Sequence, residues 1–271
     1  MNNSKNIDKK IKATLNPYRS ALALMLYRAL WDLHPYSWVS RKKINEWKNR
    51  YPGKKAVILC NGPSLNQTNF EKLTESKVFT FGLNKINLLF SRVNFRPSAI
   101  VAVNSYVIEQ AADFYNTTNI PIFLDSVGRH HVTFNKNVHF LHSANIGGSF
   151  AKDCSISINQ GFTVTYAAMQ LAFHMGFDEV ALVGCDHSFD VKGPATKTVI
   201  ADKKDTNHFD PNYFAGGVKW QLPNLAASAL HYDIAKDIFE SHGRKIFNCT
   251  EGGKLEVFPR QPLDEFLDAE R

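Results

Sequence analysis

Short apolar runs in this 271-residue chain are repeatedly followed by single polar residues able to hold an anion or a sugar. After residues 55–60 comes Asn61-Gly62-Pro63-Ser64-Leu65. Asn61 and Ser64 can donate to phosphate or sugar oxygens, Gly62 would let a ligand reach the backbone, and Pro63 would set the turn. The stretch reads equally as a plain turn with Ser64 capping a helix. It is neither G-x-G-x-x-G nor a P-loop with its lysine, so no standard dinucleotide or Walker site is indicated. Asn84 follows residues 78–82, and Asn104-Ser105 follows residues 99–103. One loop asparagine is an ordinary turn residue, whereas three at successive strand ends would meet in one crevice if the strands are neighbours.

Gln160-Gly161-Phe162-Thr163-Val164-Thr165 opens a helix. Hydroxyls at a helix start, beside free N–H groups and the positive dipole end, suit a phosphate; alternatively Thr163 is only the N-cap. Residues 179–183 run into Gly184-Cys185-Asp186-His187, which puts a carboxylate at a strand end. Asp186 there would hold Mg²⁺ or orient a sugar hydroxyl, or merely cap the next turn, with Gly184 giving a ligand passage beside the backbone. In Asn207-His208-Phe209-Asp210-Pro211-Asn212-Tyr213-Phe214 the imidazole of His208 stands among polar and aromatic side chains. Removal of a proton from an acceptor hydroxyl would need such a group; an exposed loop histidine is the plainer alternative. His130 and His131 are adjacent and would face apart on a strand, and no histidine set has metal-ligand spacing, so no resident metal is expected.

The elements that must position these residues alternate. Strands are expected at residues 55–60, 78–82, 99–103, 120–124, 138–141, 179–183 and 245–248, with helices clearest at 163–175 and 225–242. The alternation predicts an α/β, Rossmann-like, mostly parallel sheet covered by helices on both faces. Residues 187–224 break the rhythm and read as an irregular lid or substrate-binding segment. Residues 54–271 would form the catalytic domain and residues 1–53 a basic helical extension.

That extension carries the charge. Residues 1–55 hold 13 Lys/Arg against 3 Asp/Glu, and the remainder 19 against 22, so the overall +7 belongs to the N-terminal part and the main body is not a nucleic-acid surface. Residues 20–34 read as a helix apolar almost all round, too short for the roughly 20 residues of a membrane span. It is expected either to lie in a membrane interface, making residues 1–50 a peripheral contact, or to pack on the main domain or a partner chain. Four cysteines with no C-x-x-C pair indicate neither a zinc site nor a disulfide framework. The polar residues 1–12 lack a signal-peptide core, and a cytoplasmic location, with membrane association through the extension, is the expectation.

The order of these motifs resembles a superfamily that contains the lipooligosaccharide sialyltransferases of bacteria, the flagellin nonulosonate transferases, and the archaeal 6-hydroxymethylpterin diphosphokinase of the MptE-like type. The matching elements are ILCNGPSL from Ile58, the turn through Gly82 and Asn84, Val103-Asn104, the stretch from Gly161 to Asp186, the His208 loop, and NCTEGGKLEVF from Asn248. They cover roughly residues 54–260. The resemblance implies donor contacts from Asn61, Gly62, Ser64 and Asn84, then Asn104, Thr163 and Thr165, with His208 as base and Asp186 beside the phosphate. The sialyltransferases place two tyrosines after that aspartate. Here His187-Ser188-Phe189 stand instead, and Ser188, Tyr213 or Lys219 would meet the leaving phosphate. The implied activity is transfer from a nucleotide sugar, of the CMP-linked nonulosonate kind, to a glycan or lipid-linked acceptor without a cofactor. In the diphosphokinase branch Asp186 would serve Mg-ATP, and Trp220 or Phe214 would line a pocket for a flat heterocycle. A nucleotide-binding protein without catalysis is the third alternative.

Overall fold

Ala56, Val57, Ile58 and Leu59 follow one another without a polar partner, and such a strand is stable only when both its faces are covered. The computed structural model, which describes residues 16–144, 147–189, 197–201, 204–214 and 217–269, meets that demand. Its strands are β1 (Lys55–Leu59), β2 (Phe79–Leu83), β3 (Ala99–Ala102), β4 (Ile122–Asp125), β5 (Val138–Leu141), β6 (Glu179–Val183), β7 (Thr198–Ala201), β8 (Val218–Gln221) and β9 (Lys245–Asn248). Seven of them form one sheet in the order β5-β4-β3-β2-β1-β6-β9, every pair parallel. The α/β, Rossmann-like expectation is met. The first fifteen residues of the basic extension, and residues 190–196, 202–203 and 215–216 of the expected lid, lie outside the described residues.

The helices are α1 (Pro17–Asp32), α2 (Pro35–Asn45), α3 (Phe70–Glu75), α4 (Ser105–Gln110), α5 (Ala112–Thr117), α6 (Val164–Met175), α7 (Leu225–Glu240) and α8 (Leu263–Asp268). Alternation along each strand divides the core in two. Ala56 and Ile58 pack with Ile44 of α2, with α6, and with Tyr232, Ala235 and Phe239 of α7. Val57 and Leu59 pack on the other face with Leu73 of α3, Val107 of α4, Tyr115 of α5 and Phe266 of α8.

Two readings of the sequence change. The helix expected over residues 20–34 stops at Asp32, because Pro35 starts a second helix at its first position, capped by the His34 side chain. That helix, α2, lies against β5, where Phe140 N–H donates to Ser40 Oγ at 3.2 Å. The stretch 187–224 is not irregular throughout: β7 and β8 pair antiparallel, and the His208 loop is the excursion between them. Each of these strands is only four residues long, too short to mark a period. Among the described residues no helix is long and apolar enough to cross a membrane.

Candidate active site

The chain walks outward from β1 to β5 and then crosses back to place β6 on the other side of β1, so strand order reverses between β1 and β6. At such a reversal the connections leave in opposite directions and open a crevice beyond the strands' carboxyl ends. The two exits are stitched together. Cys60 N–H donates to the Val183 carbonyl at 2.8 Å, and Gly62 N–H to the Gly184 carbonyl at 2.9 Å.

The glycines at these exits line the cavity and also make room for the protein's own atoms. A Cβ on Gly62 would lie 1.9 Å from Asp186 Oδ2, so the missing side chain makes room for that carboxylate. Gly184 has φ +71°, and a Cβ on it would meet the Cys60 carbonyl oxygen at 2.9 Å. Both features have one cause, the close approach of two strand exits. Ser64 changes role. It sits inside the 3-10 turn Pro63–Gln67 rather than at a helix cap, and its Oγ donates to Asp186 Oδ2 at 2.8 Å, behind the cavity wall. Asp186 is braced from the far side by Lys254 N–H, which donates to its carbonyl at 2.8 Å.

The crevice holds a cavity of about 330 Å³, within the size range of small-ligand sites. Asn61, Gly62, Asn84, Asn104, Thr163, Thr165, Asp186, Ser188, His208 and Tyr213 all line it. Lys219 does not; it is exposed on β8, where its carbonyl accepts from Gln110 Nε2 at 2.9 Å. Thr163 caps α6 through its side chain, so the start of a twelve-residue helix faces the cavity. Asn104 caps α4 and also donates from Nδ2 to Gln221 Oε1 at 3.1 Å. Phe162, at φ +62°, keeps its ring 56% exposed at the cavity mouth.

Buried polar atoms at the cavity lack partners. Asn61 Oδ1, Asn84 Oδ1 and the Tyr213 hydroxyl are shielded from solvent with no hydrogen bond among the described residues. Tyr213 neighbours Asn84 and the Lys85 backbone, yet its hydroxyl does not reach hydrogen-bond geometry, and burial raises the phenol above its ordinary value. An unmet buried polar group costs about 1–3 kcal/mol, which a ligand bearing hydroxyls or amines would recover.

His208 is held on all sides. Its Nδ1 lies 2.7 Å from Asp205 Oδ2, and its ring stacks on Tyr213 at 4.1 Å with an interplanar angle of 2°. Phe189 and Phe214 meet it edge-on at 5.7 and 5.1 Å. Burial opposes the charge on Asp205, but the His208 hydrogen bond, the His208 charge and the N–H groups of Asn207 and His208 outweigh it, holding the carboxyl below its usual range. When the imidazole is neutral and Asp205 ionised, the proton sits on Nδ1, facing the carboxylate, and the lone pair on Nε2. The loop itself hangs from the β1 exit: Phe209 N–H donates to the Asn61 carbonyl at 2.9 Å, and Asn66 Nδ2 donates to the Phe209 carbonyl at 2.9 Å.

Asp205 was not legible in the sequence. In Asp205-Thr206-Asn207-His208 it looks like one more turn acid, and only the fold of the loop brings its carboxylate back onto Nδ1. Phe214 and Trp220 stack at 5.1 Å and both line the cavity. For Mg²⁺ the donor set fits poorly. Asp186 is the one carboxylate in the described lining, its Oδ2 is taken by Ser64, and no group of three His, Cys, Asp or Glu gathers among the described residues.

The sequence profile of the family described as "6-hydroxymethylpterin diphosphokinase MptE-like" matches residues 34–192. No curated protein matches the chain. The solved structure of the MAf glycosyltransferase from Magnetospirillum magneticum AMB-1 is similar over 84% of this chain, at 16% identity and a TM-score of 0.49; this chain spans 39% of that one.

Proposed function

The chain belongs to the MptE-like family, and on that premise we propose that it is a transferase acting on a nucleotide-activated sugar, of the CMP-linked nonulosonate kind, in glycan or polysaccharide assembly. The observation that carries this reading is the Asp205–His208 pair opening onto a cavity where the amide oxygens of Asn61 and Asn84 have no partner among the described residues. A nucleotide sugar offers hydroxyls and amines to those oxygens and a phosphate to the start of α6. An acceptor hydroxyl, glycan or lipid-linked, attacks the anomeric carbon while the bond from that carbon to the phosphate oxygen breaks. The nucleotide leaves with the electron pair, and the hydroxyl proton passes to His208 Nε2. A positioned base of this kind contributes about 10²–10⁴-fold. Ser188 and Asp186 line the same cavity, and in this scheme Ser188 meets the leaving phosphate while Asp186 orients donor hydroxyls. Nothing in this scheme is routed through a metal.

A Mg-dependent 6-hydroxymethylpterin diphosphokinase is the second reading. The Phe214–Trp220 stack favours it, since a flat heterocycle would slide against such a pair. The single carboxylate among the described lining residues counts against it. Thermal-shift titration with CMP, UDP, GDP and ATP, each with and without Mg²⁺, separates the two. Stabilisation by CMP in the absence of metal is expected; a response confined to Mg-ATP would transfer the assignment to the kinase. Nucleotide binding with no acceptor-dependent release of free nucleotide would leave a non-catalytic binder.

A further inference from the structure

Helix α1 turns an apolar side to solvent. Leu22, Met25, Leu26, Leu30 and Leu33 recur at helical spacing along one face and are 53–77% exposed. The opposite side is the one that docks: Tyr27 stacks on His142 at 5.0 Å and Trp31 is buried in the core. At the helix end Trp38, 66% exposed, is tied on by Nε1 donating to the Asp32 carbonyl at 2.7 Å. A contiguous apolar face of this kind marks an interaction surface.

Charge selects the occupant. Asp32 is the one acid in residues 16–45, and it is already engaged by Arg28 at 2.7 Å and Arg41 at 3.3 Å. Arg19 and Lys42 are exposed and pair with no acid among the described residues. Upstream, the sequence adds Lys5, Lys9, Lys10 and Lys12 against Asp8. Two copies of this face meeting about a two-fold axis would oppose like charges, whereas an anionic lipid surface neutralises them. Sixteen residues span about 24 Å, short of a bilayer core, so the helix lies in the plane.

We propose that the solvent face of α1, with Trp38, docks the protein onto an anionic phospholipid surface. The helix then seats the site at that surface. Its inner residues Leu24 and Tyr27 line a second cavity, which shares Val103, Asn104, Gln160 and Gln221 with the first. An acceptor presented by the lipid would enter there; this use of the docking rests on the transferase reading, while the docking itself does not.

The test is sedimentation of the full chain with vesicles of phosphatidylcholine alone or mixed with phosphatidylglycerol, at about 0.1 M and about 0.5 M salt. Partitioning about tenfold or more stronger onto the anionic vesicles is expected, falling at high salt, with a blue shift in tryptophan emission. The triple variant Leu22→Ser, Leu26→Ser, Leu30→Ser should lose about tenfold in partitioning while keeping the native thermal midpoint and nucleotide response. Failure of the native chain to bind anionic vesicles, or equal binding by the triple variant, would overturn the proposal. So would a native dimer in sedimentation equilibrium that the triple variant dissolves, because the face would then belong to a second copy. Loss of the nucleotide response in the native chain would instead strike the transferase reading and leave the docking standing.

Discussion

His208 is fixed by two perpendicular constraints, a carboxylate in the plane of its ring and a phenol stacked against its face. His208→Ala should lower turnover about 10²–10⁴-fold and leave nucleotide binding nearly unchanged, as read by steady-state release of nucleotide beside a binding titration. Asp205→Asn removes only the anchor, so a smaller loss is expected together with a changed pH–rate profile. Asp205 also marks stability. Its folded value lies below its unfolded one, so its contribution is complete above about pH 4 and is lost as pH falls through the folded value. Urea titrations at falling pH should show a shallower decline in Asp205→Asn. At this scale the convergence of Asn61, Asn84, Asp186 and His208 on one cavity was legible, because each follows or punctuates a pattern. The roles of Ser64, Gly62 and Gly184 were not, since they depend on how closely β1 and β6 leave the sheet.

Between residues and fold lie the strand exits and the β7–β8 ribbon. Gly62→Ala must push Asp186 aside; a loss of about 1–3 kcal/mol and weaker nucleotide binding are expected, measured by chemical denaturation and thermal shift. Lys85 pins the ribbon's loop, its Nζ donating to Gln110 Oε1 at 2.6 Å and to the Tyr213 carbonyl at 2.8 Å. Burial lowers this ammonium to about 8. Between about pH 8 and pH 10 the unfolded chain therefore holds more protons at this site, and stability rises with pH across that window. In Lys85→Met that rise should disappear from a series of denaturation curves. The sequence marked this region only as a departure from rhythm. Its ribbon comes from pairing between four-residue strands on either side of the loop, information that no local window holds.

Across the whole molecule, the N-terminal helices are attached through buried neutral imidazoles. Trp47 Nε1 donates to His139 Nε2 at 3.2 Å, Tyr27 lies on His142, and His174 Nε2 meets the Ile44 carbonyl at 3.0 Å. Burial lowers all three, His139 and His142 to about 4. The unfolded chain then binds more protons below its ordinary histidine value, so stability present above about pH 6.5 is lost towards pH 4. Circular dichroism at stepped pH should follow a decline centred in that interval. Strand and helix alternation made the parallel sheet legible in advance, whereas the side on which α1 docks was not, because a helix apolar all round does not say which stripe β5 and its neighbours will cover. One backbone contact, from Phe209 to Asn61, has a reach beyond its size. It hangs the loop of His208 on the rim of the receptacle, so on the proposed reading any change that slackens the rim also spoils the aim, and grip and chemistry are inherited together.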